Sequence, residues 1–192
     1  MHFKRILALL MTAALVFAFT GCKKQPKGYQ PANPNEEFIL EVYAPEELMA
    51  VMTDLTERYS TVAPRASVRV SFDEGMVQAA KIEAGYACDI YVSDEERFMD
   101  WLDAECSQDA NPNRNDKIVS STRHAFAEGP GNEEYREEET ELAEGEVYET
   151  TFSVAVCRTT NLSYESEQFI NFMLSDEVAD VYETYGFTRI AQ

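Results

Sequence analysis

Three short β-rich runs, each followed by residues at helical spacing, occupy Phe38 to Leu102 and leave the chain few folds to choose from. Phe38 to Ala44 is closed by Pro45, after which Leu48, Val51, Met52, Leu55 and Tyr59 recur three or four positions apart. Ser67 to Phe72 alternates as a second strand, and Met76 to Ala84 puts Val77, Ala80 and Ile82 on one helical face before Gly85 ends it. Asp89 to Val92 is a third run, and Ser93 to Glu96 has capping-box spacing ahead of a helix bearing Phe98, Met99, Trp101 and Leu102. Lys117 to Val119 begins a further short strand and Thr151 to Val156 reads as a buried one. Two closing helices, Glu165 to Leu174 and Ser175 to Tyr185, end at Gly186. The alternation predicts a mostly parallel sheet covered on both faces, with ligand-facing loops at the carboxyl ends of the strands.

Ahead of this body, Lys4 and Arg5 precede an uncharged, mostly apolar run from Ile6 to Phe19. That is the shape of an export signal, because a membrane span needs about 20 apolar residues and this run is shorter. Its end, Phe19-Thr20-Gly21-Cys22, resembles the bacterial lipobox, in which the cysteine is acylated and becomes the new N-terminus, although Phe19 stands where Leu is usual. Lys23 to Glu37, rich in Pro and polar residues, reads as a tether. The expected organisation is a lipoprotein signal peptide over 1–21, a flexible tether over 22–37 and an α/β domain over 38–192. Membrane lipid would be met through acyl chains on Cys22, on the extracytoplasmic face.

Acidic residues outnumber basic ones by 35 to 16, and loss of Lys4 and Arg5 with the signal makes the formal charge of −19 more negative still. Such a surface repels phosphate backbones, which excludes nucleic acid as a partner. Ten Glu against one Arg between Glu128 and Glu149 mark an acidic insertion over 128–149, expected as a solvated loop. His2 and His124 are the sole histidines, and no Gly-x-Ser-x-Gly elbow, P-loop or nucleotide fingerprint occurs. Neither an enzyme nor a cofactor is expected. Asn161-Leu162-Ser163 fits a glycosylation acceptor but is expected as a turn at a helix start.

Ala87 to Leu102, ACDIYVSDEERFMDWL, resembles the molybdate-binding proteins of ABC importers. Val42 to Tyr59 parallels that family's first strand and helix, and NFMLSDEVADVYETYGFTRI at Asn171 to Ile190 parallels its closing pattern. The resemblance implies a type 2 periplasmic-binding-protein fold: a first lobe with a mixed five-stranded sheet and helices on both faces. Only Ser120 to Glu146 lies where a second lobe belongs, so that lobe is expected to be largely missing. The same layout runs Ala87 to Val92 and Thr151 to Cys157 side by side in opposite directions, bringing Cys88 and Cys157 within bonding reach and leaving Cys106 spare. Three reduced, buried cysteines are the alternative.

The family holds a tetrahedral oxyanion with serine hydroxyls at the heads of its first two helices, beside free backbone N–H groups. Alignment puts Glu47 and Gly75 at those positions, with Asp94 after the third strand, and sets Asp73 and Glu74 where the family has glycines. Carboxylates there oppose an anion. Either Glu47 caps its helix and fills the anion position, or Glu46, Glu47, Asp73, Glu74 and Asp94 converge on a hard cation such as calcium. The functional expectation is a lipid-anchored solute-binding component of an ABC import system, with an ABC permease as partner, a small-molecule ligand of open identity and oxyanion binding in doubt. The rival is an interaction or sensory lipoprotein without transport.

Overall fold

The computed structural model describes residues 36–103, 118–135 and 146–190. Strand β1 (Phe38–Ala44) leads through a 3-10 turn at Glu46–Leu48 into α1 (Met49–Val62). Next come β2 (Ala66–Phe72), α2 (Gly75–Glu83), β3 (Ile90–Ser93) and α3 (Glu96–Asp103). After them stand β4 (Val119–Pro130), β5 (Glu149–Cys157), α4 (Ser163–Met173), α5 (Ala179–Thr184) and β6 (Thr188–Arg189).

These strands make one six-stranded sheet in the order β2-β1-β3-β5-β4-β6. β1 pairs in parallel with β2 and β3, whereas β3–β5, β4–β5 and β4–β6 are antiparallel. The sheet is therefore mixed, as the resemblance implied, but six-stranded rather than five-stranded and less parallel than the strand–helix alternation predicts. The alternation holds only as far as α3. Beyond it the chain doubles back, and antiparallel neighbours need no helical crossover.

Period-2 alternation sorts side chains onto two faces. Leu40, Val42, Ile90, Val92, Phe152 and Val154 face α1, α4 and α5 in a core that includes Leu48, Met52, Leu55, Phe169 and Tyr182. Tyr43, Tyr91, Ala155 and Cys157 face the other way, onto Ala79 and Ile82 of α2 and Phe98, Met99 and Leu102 of α3. Helices cover both faces, as expected. Among the described residues there is no second sheet, which fits a second lobe that is at most partial.

Several local expectations are corrected. Ser93 closes β3, and its hydroxyl accepts from the Glu95 N–H at 3.2 Å instead of completing a capping box with Glu96. On α2 the residues facing inward are Gln78, Ala79 and Ile82; Ala80 is exposed. The acidic insertion is not wholly loop: Glu128 to Pro130 belong to β4 and Glu149 opens β5. Cys88 and Cys157 are neighbours, as expected, but both are free and buried. Burial pushes the Cys88 thiol well up, Cys157 adds to it, and the thiol donates to the Ile90 carbonyl at 3.1 Å. Cys106 lies outside the described residues.

The C-terminal segment is fastened to the edge of β4. Gly186, at φ 82°, turns the chain in a conformation glycine favours, and Phe187 then sits so close over Gly129 that a side chain there would strike its ring. The Ile190 N–H donates to the Phe126 carbonyl at 2.9 Å, and Arg189 donates to the Leu174 carbonyl at 2.8 Å and pairs with Asp176.

Leu55 is wholly buried between α1 and the sheet. Leu55→Ala is expected to cost about 2–5 kcal/mol, read as a lower urea midpoint with an unchanged slope.

Candidate functional site

The carboxyl ends of β1, β2 and β3 meet one another at Pro45–Glu47, Asp73–Gly75 and Asp94. Gln78 fastens this end of the sheet: its side-chain amide donates to the Ala44 carbonyl at 2.6 Å and the Ser71 carbonyl at 3.0 Å, tying α2 to both strand ends. The Tyr91 hydroxyl donates to the Gly75 carbonyl at 3.2 Å from β3. The head of α2 is thus held rigidly against the end of β3.

Asp94 stands at that junction. It is 2% exposed, and neither carboxylate oxygen has a hydrogen-bond partner outside its own residue. A methyl group built on Gly75 would run into Asp94 Oδ1 and lie 3.1 Å from the Phe98 ring. The carboxylate therefore lies directly against the backbone that opens α2, where an anion would be received, and Gly75 is the residue small enough to admit it. Burial pushes the Asp94 carboxyl up to about 7 against a hydrogen bond from its own backbone N–H, with Glu47 and Glu95 adding to the rise and Arg97 opposing it. Arg97 itself stacks over the rings of Phe98 and Tyr135, at 5.1 and 5.4 Å.

Glu47, Gly75 and Asp94, placed together by family position, do converge. Glu47 is half-buried and close enough to Asp94 to disfavour its ionisation, but it caps nothing: neither the 3-10 turn nor α1 has a side-chain cap. The wider carboxylate cluster does not form. Asp73 is drawn to Lys81 at 2.5 Å and accepts from the Glu74 N–H at 3.0 Å, and Lys81 holds its carboxyl below the usual range. Glu46 and Glu74 are exposed, and among the described residues no group of three or more His, Cys, Asp or Glu is arranged to hold a metal ion.

Asp94 also borders a hollow that the sequence did not disclose. Its volume is about 520 Å³, and Glu95, Glu96, Glu128 and Glu149 line it with Asp94. The Tyr148 hydroxyl donates to Glu95 Oε1 at 3.3 Å and the Thr150 hydroxyl to the Asp94 carbonyl at 2.8 Å, so the β5 side is bonded to the β3 side. Arg123 of β4 engages Glu96 at 2.5 Å and Asp100 at 2.7 Å, tying α3 to β4. The signal for Glu128 and Glu149 lay in the two ends of the acidic run, but only the β4–β5 register, with Glu128 opposite Thr151 and Pro130 opposite Glu149, brings them together.

The sequence profile of the bacterial extracellular solute-binding proteins matches residues 40–147, from within β1 to just before β5. The chain belongs to that family. No curated protein matches it by sequence. Its fold is that of the substrate-binding domain of a putative molybdenum ABC transporter from Clostridium difficile, at a TM-score of 0.58 and 13% identity over 79% of this chain and 99% of the other. The periplasmic molybdate-binding protein of Azotobacter vinelandii gives a TM-score of 0.56 at 11% identity, covering 80% of this chain and 100% of the relative. The sulfate-binding protein SubI of Mycobacterium tuberculosis gives 0.55 at 9%, over 80% of this chain and 88% of that one. This chain is a divergent solute-binding protein with the fold of the molybdate-binding type.

Unfolded, the Asp94 carboxyl ionises near 3.8, whereas folded it keeps its proton up to about 7. Between those values the folded state binds more protons than the unfolded one, so this group's favourable contribution is fully present below pH 3.8 and gone above about 7. Asp94→Asn removes the titration. The stability of the native protein relative to the variant is expected to fall by at most about 4 kcal/mol between pH 4 and pH 8, measured by urea denaturation across that range.

Proposed function

We propose that this protein is the solute receptor of an ABC import system, held at the outer face of a membrane by acyl chains on Cys22, and that it does not take tetrahedral oxyanions. The family supports the receptor role. The signal-like run ending at Cys22 supports the anchor, with residues 23–37 as its tether; both lie at or before the start of the described residues. Among the described residues no helix is long and apolar enough to cross a membrane. Binding rather than catalysis is the proposed work, with a permease as the partner.

The position of Asp94 carries the oxyanion argument. Its carboxylate occupies the space at the head of α2, and Glu47 stands where the resemblance places a serine. Above about pH 7, where Asp94 gives up its proton, two like charges about 4 Å apart repel by about 4 kcal/mol at an effective dielectric of 20, more than a helix N-terminus returns; below that pH the neutral side chain still fills the space. An entering oxyanion would have to displace Asp94 and, above that pH, would meet the repulsion as well.

Molybdate, tungstate and sulfate at 1 mM are each expected to leave the melting temperature of the purified protein unchanged. A true oxyanion receptor at 100 times its dissociation constant would instead gain about 2.7 kcal/mol, and a shift of that size with any of the three would overturn the exclusion. Separately, Cys22→Ser is expected to move the protein from the membrane to the soluble fraction and abolish fatty-acid labelling. Unchanged membrane association would sink the anchor.

A further inference from the structure

Two thiols lie at the end of the sheet opposite the candidate site. Cys88 precedes β3 and Cys157 closes β5. The residue beside Cys157 on the neighbouring strand is Asp89, whose carbonyl accepts from the Cys157 N–H at 2.8 Å. Consecutive side chains of a regular strand point to opposite faces, so a strand running on through Asp89 would turn Cys88 away from Cys157. The regular strand does not reach so far: β3 begins at Ile90, and Cys88 joins Cys157 on one face of the sheet, among Tyr43, Ile82, Tyr91, Ile118 and Ala155. Asp89 is occupied elsewhere, accepting from the Glu41 N–H at 2.8 Å and from the Thr160 hydroxyl.

The two thiols are in side-chain hydrogen-bond contact, with Cys88 at 4% exposure and Cys157 wholly buried. Neighbouring positions on paired strands have the separation that a disulfide spans, with Cα atoms about 4.4–6.8 Å apart. As thiols the pair contributes only what small apolar side chains would. Joined, it would close the long loop that carries α3 and β4, and a closed loop leaves the unfolded chain fewer conformations. The family works outside the cytosol, where disulfides form and persist.

We propose that Cys88 and Cys157 are joined by a disulfide in the exported protein, formed as the chain folds by exchange with a disulfide oxidant, and that the free pair in the structure is its reduced form. The inference goes beyond the receptor reading and is independent of the solute. In the first step the thiolate of one cysteine attacks a sulfur of the oxidant's disulfide and expels one oxidant thiol. The second cysteine's thiolate then attacks the first cysteine's sulfur and expels the other. Two protein thiols give up two electrons and two protons, and one oxidant disulfide becomes two thiols. Burial raises the Cys88 thiol well above its ordinary range, so the folded protein holds little thiolate there and the exchange belongs to the folding chain, whose thiols are still in water.

The test is refolding of the purified full-length protein from urea and dithiothreitol into equal concentrations of glutathione and glutathione disulfide. After free thiols are alkylated, peptide mapping without reductant is expected to show Cys88 linked to Cys157 and Cys106 alkylated. Alkylation of both Cys88 and Cys157, or a linkage through Cys106, would overturn the proposal. In urea denaturation the refolded protein is expected to lose about 1 M from its midpoint when dithiothreitol is added. The double variant Cys88→Ala with Cys157→Ala, which keeps Cys106, is expected to have one midpoint with and without dithiothreitol. A native midpoint indifferent to the reductant, or a variant midpoint that moves as far as the native one, would each count against the bond.

Discussion

A buried carboxylate with no partner outside its own residue sits where β3 gives way to α3 and the head of α2 comes up alongside. The N-terminus of a nine-residue helix stabilises a nearby negative charge by up to about 2 kcal/mol in a partly buried setting. Removing a carboxylate from water costs several kcal/mol even after the protein relaxes. The helix therefore offsets only part of the cost, and the remainder appears as a carboxyl that holds its proton up to about 7. Much around it follows from that imbalance: Gly75 must stay small, and Glu47 must tolerate an acid beside it.

The part of the fold from β1 to α3 was legible because its strands and helices follow one another locally and each announces its period. The strand β4 was not, since twelve residues running from Val119 to Gly129-Pro130 carry Ser, Thr, Arg and His on a partly solvated strand and end in residues that ordinarily signal a turn. The two-residue β6 exists only because β4 offers it an edge. On α2 the inward face was misjudged because Gln78, a polar residue, is buried to bond two strand ends, and hydropathy cannot see that purpose.

The candidate site was half legible for a related reason. Glu47, Gly75 and Asp94 each lie just after a strand, and a resemblance that aligns strand ends brings such residues together. The carboxylates of the hollow come from the turn after β3, from α3, β4 and β5, whose juxtaposition depends on the antiparallel register between elements far apart in the chain. Asp73 shows the converse: its position in sequence suggested a ligand, and a lysine two turns along α2 claimed it.

The closure of the sheet by its final residues has a consequence for how the protein reaches maturity. Until Phe187 settles over Gly129 and Ile190 meets Phe126, the outer border of β4 lacks these contacts, and they are supplied by the last residues of the described chain. A nascent or half-translocated molecule must therefore travel with an open seam, and open strand borders are where neighbouring chains adhere. Glu128, opposite Thr188, sits on that seam, so a charge guards it during the interval before β6 arrives to seal it.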